Sequence, residues 1–144
     1  MTGTFLCFDF GLRRIGVAVG QTITRSSNPL TTLTSQDNHP DWLAIQALID
    51  EWQPAGLVVG IPVHMDGKET DITVRAQRFA RQLSGRFGLP VHSADERLSS
   101  REAESIIKHS RQTGRRKKSS KTDIDKIAAT LILQTWLENH ADSR

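Results

Sequence analysis

The chain is poor in cysteine and contains no long apolar segment. Cys7 is the single cysteine among 144 residues, so no disulfide can form within the chain, as is usual in a reducing compartment. Because Cys7 lies inside an apolar run, it is expected to be a small buried side chain. No apolar stretch reaches membrane-spanning length, and Met1 to Arg14 lacks the layout of a signal peptide. These features predict a cytoplasmic protein that does not contact a membrane.

Several common catalytic signatures are also missing. The five histidines show no close pairing of the kind that binds zinc. The sequence contains neither the G-x-S-x-G turn of serine hydrolases nor the glycine-rich, lysine-containing loop of P-loop nucleotide-binding proteins. The chemistry therefore has to come from other residue types.

Negative charge is absent from one segment of the chain. No acid lies between Glu104 and Asp123, although the net charge of the whole chain is only +3. Without the seven cations of this segment, the chain has twelve basic residues against sixteen acidic ones. The seven are Lys108, Arg111, Arg115, Arg116, Lys117, Lys118 and Lys121. A basic patch on a mildly acidic body is typical of a polyanion-binding site, although such runs are often only solvated loops.

The apolar pattern predicts one α/β domain spanning residues 1–144. An apolar run ends at Asp9, and a second β-rich run ends at Gly20, as in a β-hairpin. Further strands are predicted over 26–34, 55–63 and 89–94, and helices over 38–53, 73–87, 99–108 and 122–139. Three antiparallel strands followed by parallel βαβ units make a mixed five-stranded sheet with helices on both faces.

Three of these helices carry specific local signals. The first begins at 38–41, with Pro40 suited to its first turn, and ends before Pro54. Ser99 and Glu102 form a capping box for the short helix. In the final helix the apolar face comprises Ile124, Ile127, Ala128 and Leu131.

The helix predicted over 73–87 has two contrasting sides. Its apolar side comprises Val74, Phe79, Ala80, Leu83 and Phe87. Its other side carries an arginine at every third residue: Arg75, Arg78 and Arg81.

Acidic residues fall where the predicted parallel strands end. Asp9 follows the first strand, Asp95 and Glu96 follow the last, and Asp125 stands near the start of the final helix, where Asp123 competes for the same role. Functional residues gather at the carboxyl ends of parallel strands, and convergent carboxylates suit Mg²⁺ or Mn²⁺. Acids combined with a basic segment predict metal-assisted phosphodiester hydrolysis. The alternative is that Asp9 caps a turn and Asp125 complements the helix dipole.

Four motifs in order resemble the YqgF family of RNase H-like nucleases. They are Asp9-Phe10-Gly11 with Arg14-Ile15-Gly16-Val17-Ala18, Val58-Val59-Gly60-Ile61-Pro62 with Met65-Asp66-Gly67, Asp95-Glu96-Arg97-Leu98-Ser99, and Asp125-Lys126-Ile127-Ala128-Ala129. The resemblance covers nearly the whole chain. It implies an RNase H-like fold, catalytic acids at Asp9, Glu96 and Asp125, and a role in maturing the 5′ end of 16S ribosomal RNA. Members are also labelled Holliday junction resolvases, because the fold is that of RuvC. Gln21 and His64 depart from the family pattern, which affects loop contacts rather than the three acids.

The leading hypothesis is a divalent-metal-dependent RNA endonuclease that uses Mg²⁺ or Mn²⁺ and acts on precursor 16S rRNA. Asp9 would be the central ligand, with Glu96 and Asp125 on either side. The residues expected to bind phosphates are Arg13, Arg14, Arg97, Arg115, Arg116, Lys117, Lys118 and Lys121. Arg97 could equally hold a nearby carboxylate.

Three alternatives remain at this point. A Holliday junction resolvase would use the same acids on branched DNA and would need a dimer, whereas the RNA enzyme could be a monomer or a weak homodimer. A non-catalytic nucleic-acid-binding module would not need all three acids. A nucleotide-binding protein of the actin-like class would need a second phosphate-binding hairpin, which is missing.

Overall fold

A computed structural model describes residues 3–37, 39–62, 70–95 and 121–140. Its elements in chain order are β1 (Thr4–Asp9), β2 (Arg14–Gln21), β3 (Ser26–Thr34), α1 (Trp42–Trp52), β4 (Gly56–Ile61), α2 (Asp71–Phe87), β5 (Val91–Asp95) and α3 (Lys121–His140). The short helix predicted over 99–108 lies outside the described residues.

The five strands form one mixed sheet in the order β3-β2-β1-β4-β5. β2 pairs antiparallel with both β1 and β3, while β1, β4 and β5 run parallel. The predicted mixed sheet is therefore confirmed, with β1 at its centre. β3 is an edge strand, and this explains why it tolerates Pro29, which has no N–H to donate.

The sheet is covered on both faces because side chains alternate along β1. Leu6 and Phe8 point into a core that also contains residues of α1 and α2, among them Ile45 and Phe79. Phe5 and Cys7 point to the other face, where they pack against Ile132, Leu133, Trp136 and Leu137 of α3. Cys7 is buried, as predicted. No helix among the described residues is long and apolar enough to cross a membrane.

The helix starts differ in detail from the sequence prediction. Asp41 is the N-cap of α1 and accepts from the Ala44 amide, so Pro40 precedes the cap and does not lie in the first turn. α2 begins at Asp71 rather than residue 73, because Thr70 and Thr73 form a reciprocal capping box.

Two predicted helix faces also need correction. In α2, Thr73 and Ala76 are buried, and the Thr73 hydroxyl donates to the carbonyl of Pro62. Val74 is consequently 52% exposed and does not belong to the apolar side. In α3, the fully buried side chains come from residues 128–137, while Ile124, Ile127 and Leu131 are only half-buried. The buried stripe is shifted because the later turns of α3 lie over the middle of β1 and β2.

Candidate active site

Asp9 is the last residue of the central strand. In register it lies between Gly16 of β2 and Gly60 of β4, and Gly60 is in turn level with Ala94 of β5. Its side chain is half-buried and, by strand alternation, lies on the same face as Phe5 and Cys7. Asp9 therefore faces the side of the sheet that α3 covers, at the carboxyl end of the parallel strands.

Asp125 is brought to the same end of the sheet by the packing of α3. It is the fifth residue of that helix, and its backbone lies directly against Gly16. A Cβ at Gly16 would overlap the carbonyl group of Asp125 and would lie 3.1 Å from the Asp125 Cβ. Only glycine allows this approach, because any Cβ at this position would overlap the Asp125 backbone. Gly16 is also the register partner of Asp9. Two acids that are distant in sequence thus flank the same strand residue.

Arg14 neutralises the carboxylate of Asp125. Its Nε donates to Asp125 Oδ2 at 2.8 Å, and the two side chains are 32% and 25% exposed. Arg14 begins β2, two residues before Gly16, so the ion pair links the start of β2 to the start of α3. The pair holds one oxygen of Asp125 in a defined direction. Sequence analysis placed Arg14 among the phosphate-binding residues and did not detect this partner.

Hydrogen bonds from the turn between β2 and β3 and from the start of β3 hold α3 in place. The Ser27 hydroxyl donates to the carbonyl oxygen of Thr130 at 2.9 Å, and the Gln134 amide donates to the carbonyl oxygen of Arg25 at 2.7 Å. α3 is therefore fastened to β3 as well as packed on β1 and β2. The direction of its first turns, and with it the place of Asp125, follows from this docking.

Arg13 lies in the turn between β1 and β2. Its side chain is exposed, and its carbonyl oxygen accepts from the Ser35 amide at 2.8 Å. The turn is therefore tied to the end of β3, and the guanidinium projects from an anchored backbone beside the site.

The other predicted site residues fall mostly outside the described part of the chain. Glu96, Arg97, Arg115, Arg116, Lys117 and Lys118 lie there, and Lys121 is described only as the first residue of α3. Within the described residues, no three histidine, cysteine or acidic side chains come together to hold a metal ion. Asp9 and Asp125 are the two predicted ligands that the structure positions.

The two described acids suit a hard divalent cation. Carboxylate oxygens are the donors that Mg²⁺ and Mn²⁺ prefer, and Gly16 lets the Asp125 backbone approach the strand residue that pairs with Asp9. The Arg14 guanidinium supplies positive charge to Asp125. The donor chemistry of Asp9 and Asp125 thus fits a metal site. In the sequence, Gly16 was interpreted only as the boundary of a β-rich run, and its close contact with Asp125 was not predicted.

Comparisons with known proteins agree on one family. Residues 3–139 match the family model described as "RuvX: Holliday junction resolvase". A relative from Haemophilus ducreyi named "Putative pre-16S rRNA nuclease" is 51% identical over 140 residues, covering 97% of this chain and 99% of the relative. A relative of the same name from Dechloromonas aromatica is 50% identical over 137 residues, covering 95% of this chain and 92% of the relative.

Two solved structures share the fold at low sequence identity. RuvC from T. thermophilus, in complex with a Holliday junction substrate, aligns with a TM-score of 0.60 at 13% identity, over 98% of this chain and 97% of that one. The Fowlpox virus resolvase, in complex with substrate Holliday junction DNA, aligns with a TM-score of 0.55 at 11% identity, over 96% and 98%. The architecture is therefore RuvC-like and belongs to the RNase H-like class.

Proposed function

The chain belongs to the RuvX family, and on that premise we propose that it is a divalent-metal-dependent endonuclease that matures the 5′ end of precursor 16S rRNA. The relatives that share about half of its residues over nearly their whole length carry the name of a pre-16S rRNA nuclease. This substrate would place the protein in the cytoplasm, in agreement with its cysteine content.

The observation that supports catalysis is that Asp9 and Asp125 both lie against Gly16. Asp9 ends the central strand, and the Asp125 backbone lies against its register partner. Glu96 directly follows β5 and is two residues beyond Ala94, which packs on the α3 face. We assign Glu96 as the third carboxylate, since Asp95-Glu96-Arg97-Leu98-Ser99 resembles the family motif. Together they would hold Mg²⁺ or Mn²⁺, which when bound activates water and neutralises charge on the phosphate.

The basic residues would hold the RNA on either side of these acids. Arg14 orients the Asp125 carboxylate through the 2.8 Å contact. Arg13 projects from the anchored turn next to Asp9, where it can pair with a phosphate. Arg97, Arg115, Arg116, Lys117, Lys118 and Lys121 would bind further phosphates along the backbone. Binding through these cations would not depend on the metal.

The test of this proposal is the Asp9→Asn variant. Asparagine keeps the shape and one oxygen of the side chain but removes the negative charge that a cation needs. Cleavage of a 5′-extended 16S precursor with Mg²⁺ or Mn²⁺ should fall by at least about 10²-fold, as when a key electrostatic group is removed from an active site. RNA binding in EDTA and the melting temperature should stay close to those of the unaltered protein.

A matched control separates charge loss at the site from charge loss in general. Asp50→Asn removes the same charge from the exposed face of α1, where the acid accepts from Gln46. This variant should cleave normally. If Asp9→Asn also cleaves normally, Asp9 is a turn acid, whose role asparagine can fill, and the nuclease proposal fails.

The family description favours one further candidate, cleavage of Holliday junctions. The same acids would then act on branched DNA, and the protein would need to present two sites to a four-way junction. The discriminating experiment offers the precursor RNA and a synthetic junction to the same preparation. Junction cleavage by a dimer, with the RNA left intact, would favour the resolvase over the rRNA nuclease.

A further inference from the structure

α2 presents a second basic surface on the face of the sheet opposite α3. Arg75, Arg78 and Arg86 line an open cavity of about 590 Å³. All three side chains are exposed, and within the described residues none of them forms a salt bridge. Among the described residues that line the cavity, Asp37 is the one carboxylate. These lining residues therefore carry a net positive charge that no role proposed above uses.

Aromatic rings form the floor of this cavity and hold one of its arginines. The Trp42 ring stacks on Phe79, with centroids 5.6 Å apart at an angle of 29°. The guanidinium carbon of Arg86 lies 4.2 Å from the centroid of the Trp42 ring. A cation over an aromatic face is attracted to it and loses part of its freedom. Arg86 is therefore already positioned for an anion before one binds.

The cavity adjoins the carboxyl edge of the sheet that carries Asp9. Phe10 follows Asp9 directly, lines the cavity and packs on Phe79 with centroids 5.3 Å apart. Asp9 and Phe10 lie on opposite faces of the sheet, since Phe10 belongs to the core under α1 and α2. An RNA strand that passes Asp9 and Asp125 on the α3 face would reach the arginines of the cavity by crossing this one edge of the sheet.

We propose that the cavity binds the phosphodiester backbone of a flanking segment of the RNA, apart from the segment that is cleaved. The inference rests on the proposed function for the identity of the polyanion. Charge complementarity supports it: an exposed arginine offers a fork of donors that matches phosphate oxygens, and three of them surround one cavity. The cavity would increase the affinity for the RNA and help to position it, without taking part in the cleavage reaction.

The experiment compares arginines of the same helix. Arg75→Gln and Arg78→Gln each remove one cation from the cavity, whereas Arg81→Gln removes an equal charge from an exposed position of α2 outside the lining. Glutamine keeps the helix propensity of arginine, and melting temperatures check the fold. Binding of a 5′-extended 16S precursor is measured in EDTA at several salt concentrations, so that cleavage does not enter the result.

The expected result is a fall of about 0.7 in the salt slope for Arg75→Gln and for Arg78→Gln, as for one lost phosphate contact on a single strand. At about 0.15 M salt this corresponds to binding that is about fourfold weaker. Arg81→Gln should leave both quantities unchanged. Equal losses from all three variants would mean diffuse attraction without a site, and no loss from any would mean that the cavity does not bind RNA.

A competition experiment addresses an acidic protein as the occupant. If Arg75→Gln and Arg78→Gln keep RNA binding but lose binding of poly-glutamate, the cavity recognises an acidic polypeptide and the inference is wrong. Failure here is distinct from failure of the proposed function. If the protein cleaves the RNA but Arg75→Gln and Arg78→Gln leave the salt slopes unchanged, the cavity proposal alone is refuted. If these two variants selectively weaken RNA binding but the unaltered protein does not cleave, the nuclease proposal alone is refuted.

Discussion

Replacing Gly16 by alanine should separate α3 from the sheet at the point where the two described acids meet. The new Cβ would overlap the Asp125 carbonyl group and lie 3.1 Å from the Asp125 Cβ, compared with an ordinary carbon–carbon separation of about 3.5–4.0 Å. Gly16 has no positive φ, so alanine is not excluded by the backbone conformation. The cost arises from crowding and amounts to about 1–3 kcal/mol of folding free energy.

The functional effect should remain after the loss of stability is taken into account. To relieve the overlap, the start of α3 has to move by about 1 Å, and a displacement of that size at a catalytic group costs on the order of 10²-fold in rate. The assay is single-turnover cleavage of a 5′-extended 16S precursor at saturating Mg²⁺ or Mn²⁺, well below the melting temperature. The rate is divided by the folded fraction from chemical denaturation.

Two other glycines supply matched controls. A Cβ at Gly20 would lie 2.8 Å from the Ser26 carbonyl oxygen and 2.9 Å from Leu133 Cδ2 and Leu137 Cδ1, on the same interface but away from Asp125. Gly20→Ala should therefore also lose stability but keep its cleavage rate. Gly85 has nothing within 4 Å of its Cβ position, and Gly85→Ala should gain up to about 1 kcal/mol from helix propensity. If Gly16→Ala cleaves as fast as Gly20→Ala, the contact at Gly16 does not position Asp125.

Two further substitutions test the charges around the site. Arg14→Gln should lower the free energy of unfolding by no more than about 0.5 kcal/mol, because the pair with Asp125 is partly exposed. Denaturant titration in high and low salt measures this change. A loss of several kcal/mol would show that the pair has a larger structural role. Neutralising the four cations of 115–118 to glutamine should reduce the salt slope of RNA binding by up to about 2.8, at about 0.7 for each contact. Unchanged affinity and slope would identify this segment as a solvated loop.

The sheet was predictable because its signals are local. Apolar or β-rich runs bounded by turn residues marked β1, β2 and β4, a stretch rich in Thr, Ser and Leu marked β3, and a weaker run marked β5. The structure places β3 at the predicted Ser26–Thr34 and β4 within 55–63. The order of antiparallel strands and then βαβ units indicated which strands run parallel, since a strand–helix–strand crossover joins parallel strands. The family relationship inferred from four motifs is also confirmed.

The helix faces were less predictable because they depend on what the helix meets. Val74 has an apolar side chain, yet Thr73 occupies the buried position, because its hydroxyl finds the carbonyl of Pro62. In the same way the docking of α3 buried six of its side chains, and no local rule distinguishes these from Ile124 or Leu131. The six are Ala128, Ala129, Ile132, Leu133, Trp136 and Leu137.

By itself the sequence determined that acids would stand at strand ends and at the start of the last helix, because those positions follow from local patterns. Only the tertiary structure decided that Asp9 and Asp125 flank one glycine, that Arg14 holds Asp125, and that three arginines of α2 line one cavity with Trp42. Each of these is a contact between elements far apart in the chain. Such contacts depend on how closely two backbones approach, and the absence of a Cβ at Gly16 sets that distance only once α3 packs against β2.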